Sequence, residues 1–392
     1  MRNFESVCDY LKAAQPSEPI ICHRPHAAYR AARFFLDHFP GEVLYAVKAN
    51  PAPVILHALY EAGIRHFDVA SLAEMELLRG YPDVTLHCMN PVKHPEHIRR
   101  AYFDYGVRAF ALDSEGELEK IIAATDGADD LALHVRIAVD NAHSRVPLEH
   151  KFGVSLAAAP ALLVRARVVA EHLGVCFHIG SQAMRPEGFA HAIERANQMI
   201  HRSGVILDSL DVGGGFPAAY PDLAPPPLME YMQVIDAAFA NSLTSETCTL
   251  LCEPGRALVA ESASLLVNVT LRKDTTLYIN DGAYGTLFDA AHMGFRYPAR
   301  LVRDGAFSSS ELQQPFALYG PTCDSIDYMP GPFMLPPDVR AGDYLEIGQL
   351  GAYGDTLRTA FNGFGERREI CVADEPLQSV YNLQRAAEKA AR

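Results

Sequence analysis

Short apolar runs alternate with longer amphipathic, Ala- and Leu-rich stretches through the first two thirds of the chain. A strand buried on both faces reads as a continuous apolar run, and a covering helix repeats every 3.6 residues, so the pattern is that of βα units on a parallel sheet. Eight strands are predicted, at residues 44–47, 65–69, 85–88, 109–112, 131–137, 175–179, 207–212 and 249–252. The helices expected between them include 53–61, 72–79, 115–124, 157–171, 189–201 and 229–240, with Pro53, Ser71 and Ser114 in helix-start positions. Eight such units predict a TIM-type (β/α)8 barrel rather than an open sheet.

Beyond about residue 260 the texture changes to β-branched and aromatic runs (LLVNVTLRK, TTLYINDG, FALYGP, DYLEIGQLGAY, REICVAD) broken by Gly, Pro, Asp and Asn. This predicts a second domain of antiparallel β structure, a sandwich or barrel. The early run 19–23 precedes the first barrel strand and is expected in that second domain, giving a barrel at 26–260 and a discontinuous β domain from 1–25 and 261–392. The closing LQRAAEKAAR reads as a short polar helix or a frayed end.

Composition narrows the partners. The chain has 392 residues, 49% hydrophobic and 21% charged, enough apolar content for two cores. Its 34 basic and 48 acidic residues leave a net charge of -14, which opposes binding to nucleic acid or an anionic membrane and suits a cationic small molecule. The eight cysteines form no CxxC pair or Cys/His cluster, so reduced thiols are expected and no metal site. With no signal-peptide pattern at the N-terminus and no apolar stretch of membrane-spanning length, the expected location is the cytoplasm.

A barrel of this kind does its chemistry at the C-terminal ends of its strands. Those ends carry Lys48, Asp68, Arg136, His178, the triplet Gly213-Gly214-Gly215, and Glu253-Pro254-Gly255-Arg256. Singly these are weak signals: Lys48 is equally compatible with a solvated strand end, His178 between Phe177 and Ile179 with a core histidine, and the glycines with a plain turn. Together they match one set of needs. Glycines let backbone N–H groups approach a phosphate, Ser181 and Arg256 add donors, a lysine forms a Schiff base with an aldehyde, and a carboxylate holds a pyridine nitrogen protonated. Those are the requirements of pyridoxal 5'-phosphate, with an imidazole on the ring face.

At these residues the sequence resembles the ornithine/diaminopimelate/arginine decarboxylase family, the alanine-racemase-type barrel decarboxylases of basic amino acids. The resemblance rests on YAVKANP (45–51), FDVASLAEMEL (67–77), HIGSQ (178–182), DVGGGFP (211–217), EPGR (253–256), NDGAYG (280–285), GPTCDSID (320–327) and LGAYG (350–354), in the family's order over almost the whole chain. It implies that Lys48 carries the cofactor, His178 stacks on its ring and Glu253 partners the pyridine nitrogen. Ser181, Gly214, Gly215, Gly255, Arg256 and Tyr353 then form the phosphate site, and Asp68, Glu74 and Arg136 the supporting polar network. The resemblance further implies a homodimer in which the GPTCDSID loop enters the neighbouring subunit's site, Cys323 reprotonating the carbanion and Asp324 binding the distal ammonium.

Within the family, Cys323-Asp324 matches the ornithine type, whereas diaminopimelate decarboxylases show Cys-Glu-Ser-Gly-Asp. L-Ornithine is therefore the expected substrate, putrescine and carbon dioxide the products, and polyamine biosynthesis the setting. Lysine is the nearest competitor, since one methylene discriminates by only about 1–3 kcal/mol; arginine, diaminopimelate and a specialised diamino acid follow. Tyr284 and Asp289, in and after NDGAYG, are the further candidate substrate contacts. A racemase of the same barrel type needs a second base, usually tyrosine, in place of the Cys323-Asp324 pair. A non-catalytic regulator would have lost the cofactor residues.

Overall fold

The computed structural model describes residues 1–148, 151–308 and 310–381. Eight parallel strands close on themselves: β1 (Glu42–Ala46), β2 (His66–Asp68), β3 (Thr85–Cys88), β4 (Ala109–Leu112), β5 (Ala132–Arg136), β6 (His172–Cys176), β7 (Ser209–Asp211) and β8 (Thr249–Cys252). β8 pairs back onto β1 through Leu251–Glu42 and Cys252–Val43, so the barrel has no edge. Helices cover the outside, several starting at the expected caps: the Ser71 and Ser114 hydroxyls accept the N–H groups of Glu74 and Glu117. Two covering helices, Pro25–His38 and Pro95–Tyr105, lie outside the predicted set. The second fully buries only Ile98 and Ala101, with Tyr102 and Tyr105 packing partly on the core, too mixed a stripe to stand out.

Two strand ends differ from expectation, and both differences move chemistry. β6 spans His172–Cys176 rather than 175–179, because Phe177 and Ile179 lie in a buried loop that extends the apolar run beyond the ladder. His178 therefore sits on that loop. Likewise β1 ends at Ala46, and Lys48 rides on the single 3-10 turn Val47–Ala49 that follows.

Four histidines crowd the barrel floor. His66 Nδ1 and His87 Nε2 are 3.0 Å apart, and His134 and His172 each lie 3.1 Å from Ser209 Oγ. Burial holds His87 far below the ordinary histidine range and pushes His134 down to about 3.

A ten-stranded sheet is built from both ends of the chain. Strand Ile20–His23 lies between Ala263–Lys273, antiparallel, and Arg368–Val372, parallel. Arg2–Phe4 also pairs parallel with Arg368–Val372, and Thr276–Ile279 with Gln314–Tyr319. The sheet is thus mostly, not wholly, antiparallel, because segments distant in sequence can pair in either sense and local texture carries no trace of the choice. Buried Arg24 ties the two ends together, its guanidinium donating to Glu346 at 2.8 Å, Asp374 at 2.7 Å and Ser264 at 2.8 Å. The expected C-terminal polar helix lies outside the described residues.

Candidate active site

The strand-end loops enclose a cavity of about 480 Å³ at the C-terminal mouth of the barrel. Eleven residues singled out by the sequence line it: Lys48, Asp68, Arg136, His178, Ser181, Gly214, Gly215, Glu253, Gly255, Arg256 and Tyr353.

Lys48 Nζ donates to Asp68 Oδ2 at 2.8 Å. Its withdrawal from bulk water disfavours the ammonium, but Asp68 first, then Tyr353 and Glu253, outweigh this and hold the amine above the ordinary lysine range. Opposite, the Gly180 N–H donates to His178 Nδ1 at 3.0 Å, which leaves the ring proton on Nε2. Burial, then Arg136 and Lys48, keep this imidazole far below its usual range, so it is a neutral flat face.

The loops after β6 and β7 approach so closely that only glycine fits between them. Gly213 (φ 69°) and Gly215 (φ 109°) are left-handed, and a Cβ at these positions would lie 2.0 Å from Phe177 O and 2.6 Å from Gly180 O. Beside them Arg256 starts the short helix Arg256–Val259. Its guanidinium donates to Tyr220 Oη at 2.9 Å and Asp289 Oδ2 at 3.2 Å, and its carbon lies 4.9 Å from the Tyr353 ring centroid. Asp289, expected as a substrate contact, is thus engaged with Arg256 and does not line the cavity, being buried on its far side.

Just beyond β8, Glu253 Oε1 is buried without a hydrogen-bond partner. So is Oδ2 of Asp211 on neighbouring β7, whose Oδ1 accepts the Gly213 N–H at 2.7 Å. Burial, then Asp211 and Asp68, raise Glu253 well above the carboxylate range, and burial raises Asp211 to about 6. Asp211 was absent from the predicted site, although an acid ending an apolar strand beside Glu253 was a usable signal. Lys151, Phe152, Asn90 and Tyr220 carried no such signal.

The pair has a stability consequence. Unfolded, both carboxyls titrate near pH ~4; folded, they hold protons to higher pH, so from about 4 up to at least 6 the folded chain binds more protons and loses stability as pH rises. In the cofactor-free protein, Asp211→Asn is expected to raise the melting temperature by roughly a few degrees above that window and to leave it unchanged below it. Parallel wild-type and variant melting curves across pH would count against the pairing.

The remaining candidates stand elsewhere. Glu74 sits behind the mouth, accepting the Ala70 N–H at 2.6 Å. Cys323, Asp324 and Tyr284 form a separate cluster outside the cavity, with Tyr284 Oη donating to Asp324 Oδ2 at 2.6 Å and Cys323 exposed. Their loop is anchored by fully buried Asp327, which accepts Ala283 N–H at 2.7 Å and Thr322 Oγ1 at 2.7 Å.

The donor set fits pyridoxal phosphate. A primary amine stands ready for an aldehyde, an orphaned buried carboxyl oxygen for a ring N–H, a neutral imidazole for a ring face, and glycine backbone with an arginine whose Nε has no partner for a phosphate. Fold and site together define a pyridoxal-phosphate-dependent barrel enzyme.

Comparison with known proteins makes the class specific. Residues 26–260 match the family described as pyridoxal-dependent decarboxylase, pyridoxal binding domain. The chain is 34% identical over 355 residues to the lysine/ornithine decarboxylase of Selenomonas ruminantium, covering 88% of this chain and 87% of that one. It is 31% identical over 362 residues to the ornithine decarboxylase of Mus musculus, covering 85% and 76%. The crystal structure of the Paramecium bursaria Chlorella virus arginine decarboxylase bound to agmatine superposes with a TM-score of 0.83 at 26% identity, covering 93% of this chain and 99% of that one. The chain belongs to the pyridoxal-dependent decarboxylases of basic amino acids and is a carboxy-lyase that uses pyridoxal 5'-phosphate. Among the described residues no helix is long and apolar enough to cross a membrane.

Proposed function

We propose that the enzyme decarboxylates L-ornithine to putrescine and carbon dioxide in the cytoplasm, as a homodimer whose subunits complete each other's sites. One observation carries the reading: Cys323 and Asp324 are held as a unit on an exposed loop outside their own cavity. Among the described residues the carboxyls lining that cavity are Asp68, bonded to Lys48, and Glu253. With both of these engaged in the cofactor machinery, an acid for a distal ammonium is best supplied from outside, and a second subunit carries Asp324 on an accessible surface. Hydrogen bonds from Tyr284 and then from the Ile326 N–H hold Asp324 below the ordinary carboxylate range, so it meets an ammonium ionised. The residue division, barrel at 26–260 and β unit from 1–25 and 261–392, leaves that loop at the rim of the β unit.

Pyridoxal phosphate, when bound, supplies an electron sink for the bond that breaks at the substrate Cα. The protein's own residues do the rest. Lys48 would hold the cofactor through its amine and give way to the substrate amine, with Asp68 holding the proton at Nζ. Glu253 would partner the ring nitrogen and His178 would offer its flat face to the ring, with Arg136 closing the polar wall. The backbone around Gly214, Gly215 and Gly255, the Ser181 and Tyr353 hydroxyls and Arg256 would hold the phosphate, with Asp289 steadying Arg256. Cys323 of the partner subunit then delivers a proton to Cα.

Carbon dioxide release measured side by side on L-ornithine, L-lysine, L-arginine and meso-diaminopimelate tests the substrate. Ornithine is expected to give the highest kcat/KM, with lysine behind it by about 10- to 200-fold or less, as one methylene allows. The lysine reading is the second one, supported by the relative named for both substrates. Asp324→Asn is expected to raise the ornithine KM by about tenfold or more, because a buried ammonium loses its charged partner. Clear activity on another amino acid with none on ornithine would overturn the assignment.

A further inference from the structure

The loop carrying Cys323 is gripped by a second segment that the scheme above leaves unused. Asn362 Oδ1 accepts the Cys323 backbone N–H at 3.2 Å and is 3.2 Å from Cys323 Sγ, which donates its S–H to the same oxygen. One acceptor fixes both the backbone and the thiol of a single residue. Asn362 does this from φ 55°, ψ 12°, a left-handed conformation that asparagine adopts more readily than most side chains. The same segment reaches Asp324 indirectly. Phe361 packs on the Tyr284 ring with centroids 4.6 Å apart, the Thr359 N–H donates to Tyr284 O at 2.9 Å, and Tyr284 holds Asp324.

We propose that Asn362 is a positioning residue for proton delivery, setting the direction in which Cys323 presents its thiol. This rests on the role given above to Cys323 as proton donor. The amide oxygen accepts the S–H, so while the proton is on sulfur it fixes the direction in which the thiol points. When the thiol turns toward Cα, the N–H bond still holds the backbone, so the donor rotates about one side chain without the loop shifting.

Two variants separate the acceptor from the backbone. Asn362→Gly keeps the left-handed conformation and removes the oxygen, whereas Asn362→Asp keeps an acceptor in place. In the holoenzyme Asn362→Gly is expected to lower kcat about tenfold, the worth of one well-placed hydrogen bond, with the ornithine KM changed by less than about twofold; Asn362→Asp should retain most of the rate. Independently of turnover, Cys323 in the Gly variant should react with iodoacetamide about threefold faster or more at neutral pH, read by peptide mass, because the sulfur is no longer held against the amide oxygen. In a Cys323→Ala background Asn362→Gly should cost nothing further, since both act on one step.

Unchanged kcat and alkylation in Asn362→Gly, or an additive loss in the double variant, would overturn the proposal. If Cys323→Ala loses turnover and Asn362→Gly does not, this inference fails alone. Full turnover in Cys323→Ala would remove the proton-donor reading and this one with it.

Discussion

Lys48→Ala is expected to lower turnover by on the order of 10³-fold or more and to strip the purified protein of near-visible absorbance that borohydride bleaches in the wild type. The expectation follows from position. Lys48 is the primary amine lining the cavity within hydrogen-bond reach of Asp68, and its one-turn helix points it across the mouth from His178 and Glu253. The phosphate cradle and the floor carboxyls are untouched by the change, so the variant should still bind pyridoxal phosphate, released by dialysis where the wild type retains it. Lys48→Arg keeps a cation on Asp68 but has no amine for an aldehyde, and it should be as inactive as the alanine variant. Bleachable absorbance persisting in both variants would move the attachment point to another lysine, of which Lys151 also lines the cavity.

The second large effect needs two inactive proteins. Lys48→Ala and Cys323→Ala homodimers should each be nearly silent, yet after mixing and subunit exchange about a quarter of wild-type activity should return. Half of randomly paired dimers are mixed, and in a shared-site arrangement each mixed dimer holds one intact site and one doubly damaged one. The structure motivates this through what it keeps apart: Lys48 lines the barrel mouth, while Cys323 is exposed on a loop fastened by Asp327 to the β sheet side of the same chain. No recovery after exchange verified by tagged subunits would mean that each chain builds its own site.

Much of this site was legible because a parallel barrel places strand-end residues in one mouth whatever lies between them. Lys48, Asp68, Arg136, His178 and Glu253 come from five different βα units, and the apolar runs before them sufficed to bring them together. What the runs could not mark was where a ladder stops. Phe177 and Ile179 are as buried as the strand before them, so hydrophobicity alone extended β6 through His178. Asp289 shows a different limit: a carboxylate near a site can serve the substrate or another residue of the site, and only the 3.2 Å contact to Arg256 decides between them. The parallel pairing of Ile20–His23 with Arg368–Val372 depends on segments more than 340 residues apart, beyond the reach of any local pattern. Asn362 was invisible for a similar reason, since its importance lies in one contact across two loops.

The threading of the ten-stranded sheet also sets an order of assembly. Strand Ile20–His23 leaves the ribosome before any barrel strand, yet its two neighbours, Ala263–Lys273 and Arg368–Val372, are made only after the whole barrel. Throughout that interval the nascent chain carries an apolar strand with both hydrogen-bonding edges bare, beside a barrel that can already close. The enzyme should therefore depend on chaperones most while the stretch between the barrel and residue 372 is being made. A chain cut short just before residue 368 should be more prone to aggregate than one cut within the barrel's final helix, because it exposes a nearly finished sheet along both rows of bonds that strand Arg368–Val372 fills, to Ile20–His23 and to Arg2–Phe4.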